Sequence, residues 1–459
     1  MNINIPAKAL KQAIALLKKV YTKKSTLPVL SYVLIELGDE LKLSVNNLAE
    51  FLSISIPDAK CEGTGRFLLP FDALVDASKN AGRESISIEQ HSEQLKIITR
   101  VDGQEISKIM DPGDLDEWPD MGLNIETKAC PGLNELLQAY QTATRSSSTD
   151  NTRFVINGVY IDSKEGKVVG TNGTSLMAID LSNCGIDEDI IIPASSFLRL
   201  NHTVDEGAIG FSEDKARMMI QTKLWGYSCK LVDGSFPNYK QVIPSTKGIS
   251  KIVISDQDLK LALKVIDNLP GDSVILCAYQ SKVILVGQNE DSFSHIHLSD
   301  STYASEDLLY VTLDKKYLKP GLQANCTDLY IKDLYKPVAM KRLGATYVLM
   351  PLRDNDNQKE LKDYLDAQSF IEPKPKPPTK DKPKIKEPIV AKETKEIEAE
   401  PFAQLYETVD QLSVSLQGNL LQLKNLKKQV KDLEKAQKNK EKEHKETTQL
   451  IERFKRIAA

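Results

Sequence analysis

The sequence predicts an α+β fold repeated three times, each repeat laying antiparallel strands in one layer and two helices in the other. Three observations predict it. Helical patterns begin just after Pro6, Pro131 and Asp256, each start 125 residues after the one before. A second junction ends at Pro70, Pro193 and Asp314, with spacings of 123 and 121 residues. Between these junctions lie short strand-like runs broken by Gly, Asn and Asp. A length of 459 residues, at ~150 per domain, fits about three domains.

Each element follows from its residues. The first helix of each repeat carries an apolar stripe: Leu10, Ala13, Leu16, Leu17 and Val20, then Leu133, Leu136, Leu137 and Tyr140, then Leu259, Leu261, Leu263 and Val265. The second helix follows Phe67-Leu68-Leu69-Pro70, Ile190-Ile191-Ile192-Pro193 and Val311-Thr312-Leu313-Asp314. Such junctions suit a helix start, because the first turn has no use for the N–H that Pro lacks and gains from a capping carboxylate. Runs such as Leu43-Ser44-Val45, Ser85-Ile86-Ser87-Ile88, Val168-Val169, Met218-Met219-Ile220 and Val283-Ile284-Leu285-Val286 read as strands. The boundaries expected are 1–124, 125–248 and a divergent 249–354.

Past Arg353 the composition changes. Residues 371–400 hold six prolines, eight lysines and seven acidic residues, too little apolar surface to offset chain entropy, so 355–400 reads as a disordered linker. From residue 401 to 459, Leu405, Val409, Leu412, Leu416, Leu423, Leu426, Val430 and Leu433 recur in steps of three and four, interrupted at Asn419, which predicts a coiled-coil helix.

Hydrophobic residues make up 41% and charged residues 27%, the profile of a soluble globular chain with material for several cores. Six scattered cysteines spell neither a zinc framework nor a disulfide scaffold, and no run of 18 apolar residues exists, so a reducing cytoplasm is expected. Residues 7–20 read as a core helix rather than a presequence, since they lack Arg and carry the apolar stripe. The formal charge of −4 excludes a uniformly basic coat. Residues 355–459 carry 22 basic and 19 acidic side chains, which leaves the rest of the chain at −7. Within that acidic body the helices are lysine-rich: Lys8, Lys11, Lys18 and Lys19 in the first, Lys79 in the second, Lys260 and Lys264 in the fifth, Lys315, Lys316 and Lys319 in the sixth. A single Lys on a helix is ordinarily surface; its periodic return suggests a basic face for a polyanion.

Catalytic chemistry has no evident seat, and no enzyme activity, cofactor or metal is expected. His295 and His297 alternate on one strand, but two ligands do not make a metal site. Asp354-Asn355-Asp356-Asn357 opens like a calcium loop, yet Lys359 and Leu365 occupy the positions that need Gly and Glu. Gly170-Thr171-Asn172-Gly173-Thr174 lacks the Lys of a phosphate loop and reads as a tight turn. Trp118 and Trp225 read as packing residues.

Particular strings carry a family resemblance. Lys230-Leu231-Val232-Asp233-Gly234-Ser235-Phe236-Pro237-Asn238-Tyr239-Lys240-Gln241-Val242-Ile243-Pro244 closely resembles the signature of the sliding clamps, the β subunits of bacterial DNA polymerase III. Ser25-Thr26-Leu27-Pro28-Val29-Leu30, Asn157-Gly158-Val159, Thr171-Asn172-Gly173-Thr174-Ser175-Leu176 and Tyr347-Val348-Leu349-Met350-Pro351-Leu352-Arg353 support it, so the likeness spans residues 1–353.

The resemblance implies three clamp domains per chain, with sheets outside and helices inside. It also implies a head-to-tail homodimeric ring around duplex DNA, held without sequence preference, which tethers a replicative polymerase as a processivity factor. Lys24 and Arg153 match DNA-contacting segments of the family, beside the helix lysines Lys8, Lys11, Lys79, Lys260 and Lys264. Polymerase and clamp loader would enter a groove by short peptide motifs, and matched strings assign Ile156, Thr171, Gly173, Leu176, Pro237, Val242, Val348, Met350, Pro351 and Leu352 to it. No membrane contact is implied. The chain departs from the family in having Thr174-Ser175 where His-Arg is usual, Ala194-Ser195 where basic residues are common, and about a hundred residues past Arg353. Gln411-Leu412-Ser413-Val414-Ser415-Leu416 loosely resembles a clamp-binding peptide that would fold back into the groove. The competing reading is a clamp-like adaptor that works through its coiled coil without encircling DNA.

Overall fold

Residues 1–23, 25–81, 84–91, 94–101, 103–181, 185–289, 292–353 and 358–367 are described by the structure, a computed structural model. All fall in one compact unit, Met1–Glu372. Lys24, residues 354–357, most of the expected linker, the coiled-coil register and the peptide-like string at 411–416 lie outside the described residues.

The chain begins with β1 (Asn2–Pro6), α1 (Ala7–Leu17), β2 (Tyr32–Leu37), β3 (Leu41–Asn46), β4 (Glu50–Ile56), β5 (Lys60–Glu62), β6 (Gly65–Pro70), α2 (Phe71–Asn80), β7 (Ser85–His91), β8 (Gln94–Val101) and β9 (Gln104–Met110). It continues through β10 (Lys128–Ala129), α3 (Leu133–Thr144), β11 (Gly158–Asp162), β12 (Lys167–Thr171), β13 (Ser175–Asp180), β14 (Ile190–Pro193), β15 (Gly207–Phe211), β16 (Arg217–Thr222) and β17 (Trp225–Lys230). The last stretch runs β18 (Ser250–Val253), α4 (Asp256–Val265), β19 (Ser273–Tyr279), β20 (Lys282–Asn289), β21 (Ser292–Leu298), β22 (Thr302–Tyr303), β23 (Leu309–Asp314), α5 (Lys315–Gln323), β24 (Asp328–Ile331), β25 (Val338–Arg342), β26 (Ala345–Leu349) and α6 (Gln358–Ala367).

Five of the six predicted helices start at or within two residues of their junctions. Pro6 and Pro70 immediately precede α1 and α2. The Ser255 hydroxyl accepts the Asp258 N–H at 3.1 Å at the start of α4, and the Asp314 carboxylate accepts the Lys316 N–H at 2.7 Å at the start of α5. The helices put their apolar stripes on the sheets: α1 on β3 and β4, α2 on β6 and β8, α3 on β11–β13, α5 on β23 and β26. Leu10, Leu17, Leu74, Leu136 and Leu318 are buried there, each contributing roughly 1.5–3 kcal/mol.

Three expectations are corrected. No helix follows Pro193: the Ser195 hydroxyl accepts the N–H groups of Phe197 and Leu198 as at a helix start, but the Phe197 carbonyl is taken by the Leu200 N–H and the His202 ring, so residues 196–199 close as turns instead of continuing. Lys315 is not on a solvated helix face; it is buried, its ammonium donating to the carbonyls of Leu269, Pro270 and Gly271. Within the stretch read as linker, residues 358–367 form α6, which packs on the sheet of β19–β21 and β23.

Four antiparallel sheets result. Two are long: β10-β15-β16-β17-β4-β3-β2-β6 and β14-β11-β12-β13-β26-β25-β24-β18-β22. Two are short: β5-β1-β7-β8-β9 and β21-β20-β19-β23. The long sheets are continuous because β4 pairs with β17 and β13 pairs with β26. The first of these ladders is reinforced from side chains: the Tyr227 hydroxyl donates to Glu50 at 2.7 Å, and buried Arg217 donates to the carbonyls of Leu48 and Ala49.

Candidate functional site

Two regions gather the candidate residues. One is the helix layer. Lys8, Lys11, Lys18 and Lys19 on and after α1, Lys79 on α2, Lys260 and Lys264 on α4, and Lys316 on α5 are exposed, opposite the stripes that pack on the sheets. Part of this charge is already paired: Lys79 lies 3.2 Å from Asp76, Lys319 2.6 Å from Asp267 and Lys23 2.7 Å from Asp72. Exposed pairs of this kind are weak and leave the cation available. The middle stretch has no Lys on α3. Exposed cations beside α3 are Arg145, at its end, and Arg199, in the turn after Ser195; the Arg199 carbonyl accepts from Gln141 of α3. Sequence reasoning missed both, since neither sits within a helix interior. The Arg145 guanidinium donates to Gln323 at 3.3 Å, linking the ends of α3 and α5.

The second region surrounds the ladder between β13 and β26. Leu176 stands opposite Val348, and the pairing runs one step beyond the strands through the Met350 N–H, which donates to the Thr174 carbonyl at 3.0 Å. Two residues on, the Leu352 N–H donates to Thr312 of β23, so Met350, Pro351 and Leu352 bridge from a long sheet to a short one. The turn between β12 and β13 is built by Asn172, whose side-chain carbonyl accepts the N–H groups of Thr174 and Ser175 at 2.8 Å each. Gly173 closes it at φ +88°, and a Cβ there would stand 2.8 Å from an Arg153 guanidinium nitrogen.

The segment after β17 lies against this ladder. Tyr160 stacks on Phe236 with centroids 4.8 Å apart, and the Tyr239 hydroxyl donates to Asp162 at 2.9 Å. Lys240 adds ion pairs to Asp162 and Glu165 at 3.3 and 2.9 Å. Burial alone would raise the Asp162 pKa, but hydrogen bonds from the Glu165 N–H, Tyr239 and Lys240 outweigh it and hold the carboxylate below its usual range.

Among the residues assigned to a groove, Ile156, Thr171, Leu176 and Val348 are buried and can only form its floor. Val242 (50% exposed), Met350 (44%) and Leu352 (41%) are open apolar surface, Pro237 and Gly173 are exposed, and Pro351 is half-buried. Phe154, 59% exposed, next to Arg153 in sequence and 3.7 Å from where a Cβ on Gly234 would stand, was missed; exposed aromatics carry no periodicity to betray them. Arg153 is brought to this region rather than to the helix layer: it donates to the Asn172 carbonyl at 3.0 Å.

The remaining motifs are placed elsewhere. His295 and His297 share one face of β21, rings 5.0 Å apart, and His295 bonds Tyr364 of α6 at 2.6 Å. Trp118 and Trp225 are packed with apolar neighbours. Among the described residues there is no cluster of three or more metal-ligating side chains, and no helix is long and apolar enough to cross a membrane.

No family model matches the chain. It is 23% identical over 378 residues to a beta sliding clamp of Pseudomonas putida and 22% identical over 386 residues to one of Caulobacter vibrioides, covering 77% of this chain and 100% of each relative. Among solved structures, a DNA polymerase sliding clamp from Pseudomonas aeruginosa with a ligand superposes with a TM-score of 0.65 at 20% identity. A sliding clamp (DNA polymerase III subunit beta) from Bartonella birtlesii bound to griselimycin gives 0.64 at 21%. Both also cover 77% of this chain and 100% of the other.

Proposed function

We propose that the protein is a DNA sliding clamp, a non-catalytic processivity factor that closes as a head-to-tail homodimer around duplex DNA and tethers a replicative polymerase and its loader. The chain has the sliding-clamp fold over about three quarters of its length, and the remaining quarter has no counterpart in those relatives. On this reading residues 1–124, 125–248 and 249–354 are three clamp domains, and the protein works in the cytoplasm.

The observation that carries the reading is a joint left unmade. The element order suggests a rule: the third strand after a domain's first helix pairs with the last strand of the next domain, as β4 does with β17 and β13 with β26. Applied a third time, the rule leaves β21 and β9, which are both sheet edges. Pairing β21 of one copy with β9 of a second, twice over, leaves neither edge open. Exposed Ile106 and Ile109 on β9 fit an interface better than solvent.

Closure places six helix layers around one opening, lined by Lys8, Lys11, Lys79, Lys260 and Lys264, together with Arg145 and Arg199. Lys–phosphate attraction is blind to sequence, so a ring held by topology slides while it stays attached. The exposed walls Val242, Met350 and Leu352 over the floor Leu176–Val348 would take the apolar side chains of a partner's short peptide, and Arg153 would supply the cationic rim in place of the missing His-Arg. Lys24 is proposed for the DNA side on resemblance alone.

The test is retention on circular DNA. The protein loaded on a nicked circle should stay bound through a high-salt wash and leave once the circle is cut. Equal loss from circle and linear DNA would refute encirclement.

A further inference from the structure

The outer faces of three of the four sheets described, opposite their helices, are covered by the chain that follows β9, β17 and β26. After β9, Leu115 and Trp118 pack on Leu34 and Leu68 of β2 and β6, and the Gly113 N–H donates to the Leu68 carbonyl at 3.1 Å. After β17, Phe236, Tyr239 and Ile243 pack on Val169, Leu176 and Val348. After β26, the same place is taken by α6: Leu361 and Leu365 are buried against Ile275, Cys277, Ile284 and Val286. The first two segments run on into a following domain. The third leads only to the unmatched quarter of the chain.

We propose that α6 is the connector of the ring-closing joint: it fixes edge strand β21 and so strengthens the pairing of β21 with β9 of a second copy. The inference rests on the ring reading above and adds to it a residue set that lies beyond the clamp body.

Two observations carry it. First, the strands under α6 are composed for a permanent cover. Val274–Tyr279 and Val283–Val286 are unbroken apolar runs whose alternate residues, Val274, Leu276, Val283 and Leu285, face the main core while Ile275, Cys277, Ile284 and Val286 face α6. A sheet apolar on both faces is one buried on both faces. The short sheet at the other end of the chain differs: Ser85-Ile86-Ser87-Ile88 alternates, with Ile86 and Ile88 in the core and Ser87 half-buried on the other side.

Second, α6 grips the joint strand itself. Tyr364 stacks on Phe293 of β21 with centroids 4.8 Å apart, its hydroxyl shares a 2.6 Å hydrogen bond with the His295 imidazole, and that hydroxyl lies 3.4 Å from the Phe293 carbonyl. Asp366 accepts a further hydrogen bond from Tyr279 of β19 at 2.8 Å. An edge strand has a ladder on one side only, so ordering it in advance removes an entropic cost from docking the second strand.

The experiment compares four proteins by sedimentation equilibrium over a concentration series: the full chain, the chain ended after Ala367, the chain ended after Arg353, and the full chain with Tyr364→Ala. The full chain and the 1–367 form should dimerise alike. Tyr364→Ala and the 1–353 form should dimerise about ten-fold more weakly or worse. Should the 1–353 form aggregate through its uncovered face, Tyr364→Phe decides in its place: it keeps the stack, and an affinity between those of wild type and Tyr364→Ala supports the inference. Wild-type dimerisation of Tyr364→Ala would overturn the role of α6 and leave the ring intact. A full chain that stays monomeric throughout would overturn the ring, and α6 with it.

Discussion

Leu176 and Val348 face each other across the ladder of β13 and β26, one 3% and the other 4% exposed, a single cross-strand pair from distant parts of the chain that would floor the proposed groove.

Met350→Ala with Leu352→Ala removes two exposed walls and leaves the ladder untouched. Peptide affinity should fall by about 1–3 kcal/mol, measured by calorimetry with a clamp-binding peptide, while the sedimentation coefficient stays that of the ring. The same two changes at Leu176 and Val348 would confound binding with stability, since both side chains are core.

Gly173→Ala tests the interaction with Arg153. The residue sits at φ +88° and its new methyl would meet the guanidinium 2.8 Å away. Backbone strain of roughly 1–2 kcal/mol and a displaced Arg153 are expected, seen as a lower melting temperature and weaker binding of acidic peptides, with apolar peptides less affected.

Replacing Lys8, Lys11, Lys260 and Lys264 by Gln addresses the helix layer. These side chains are exposed, so folding should be unchanged within about 0.5 kcal/mol. The slope of log affinity for DNA against log salt should shrink by about 0.9 for each phosphate that the variant no longer neutralises. An unchanged slope would show that the lysines face solvent and not DNA.

Acid should destabilise the body through histidines. Burial beside Phe197 and Trp225 depresses the His202 pKa, partly offset by its hydrogen bond to the Phe197 carbonyl, and burial, His295 and Lys282 depress that of His297. Because both folded-state values lie below the ordinary imidazole value of about 6.5, the contribution is complete above that pH and lost as pH falls through the folded value. Thermal melts should therefore decline from about pH 6.5 downward, and His202→Gln should flatten that decline.

The repeat register was legible because it is local: Pro6, Pro70 and Asp314 mark helix starts by their own chemistry. The missing helix after Pro193 was not, since the turn is closed when the Leu200 N–H and the His202 ring take the Phe197 carbonyl. Lys315 reads as surface in any one-dimensional pattern; only the three carbonyls brought to it by the fold make burial tolerable. The unbroken run at Val283–Val286 did carry a signal for a second covering layer, and α6 supplies it. The groove residues came from matched strings; what the structure adds is which of them are floor and which are open wall.

Imaging the full chain by electron microscopy tests the central claim most directly. The account predicts closed two-fold particles of two chains with a central opening that admits B-form duplex, its wall made of helices. Particles without such an opening, at concentrations where the protein binds DNA, would contradict it.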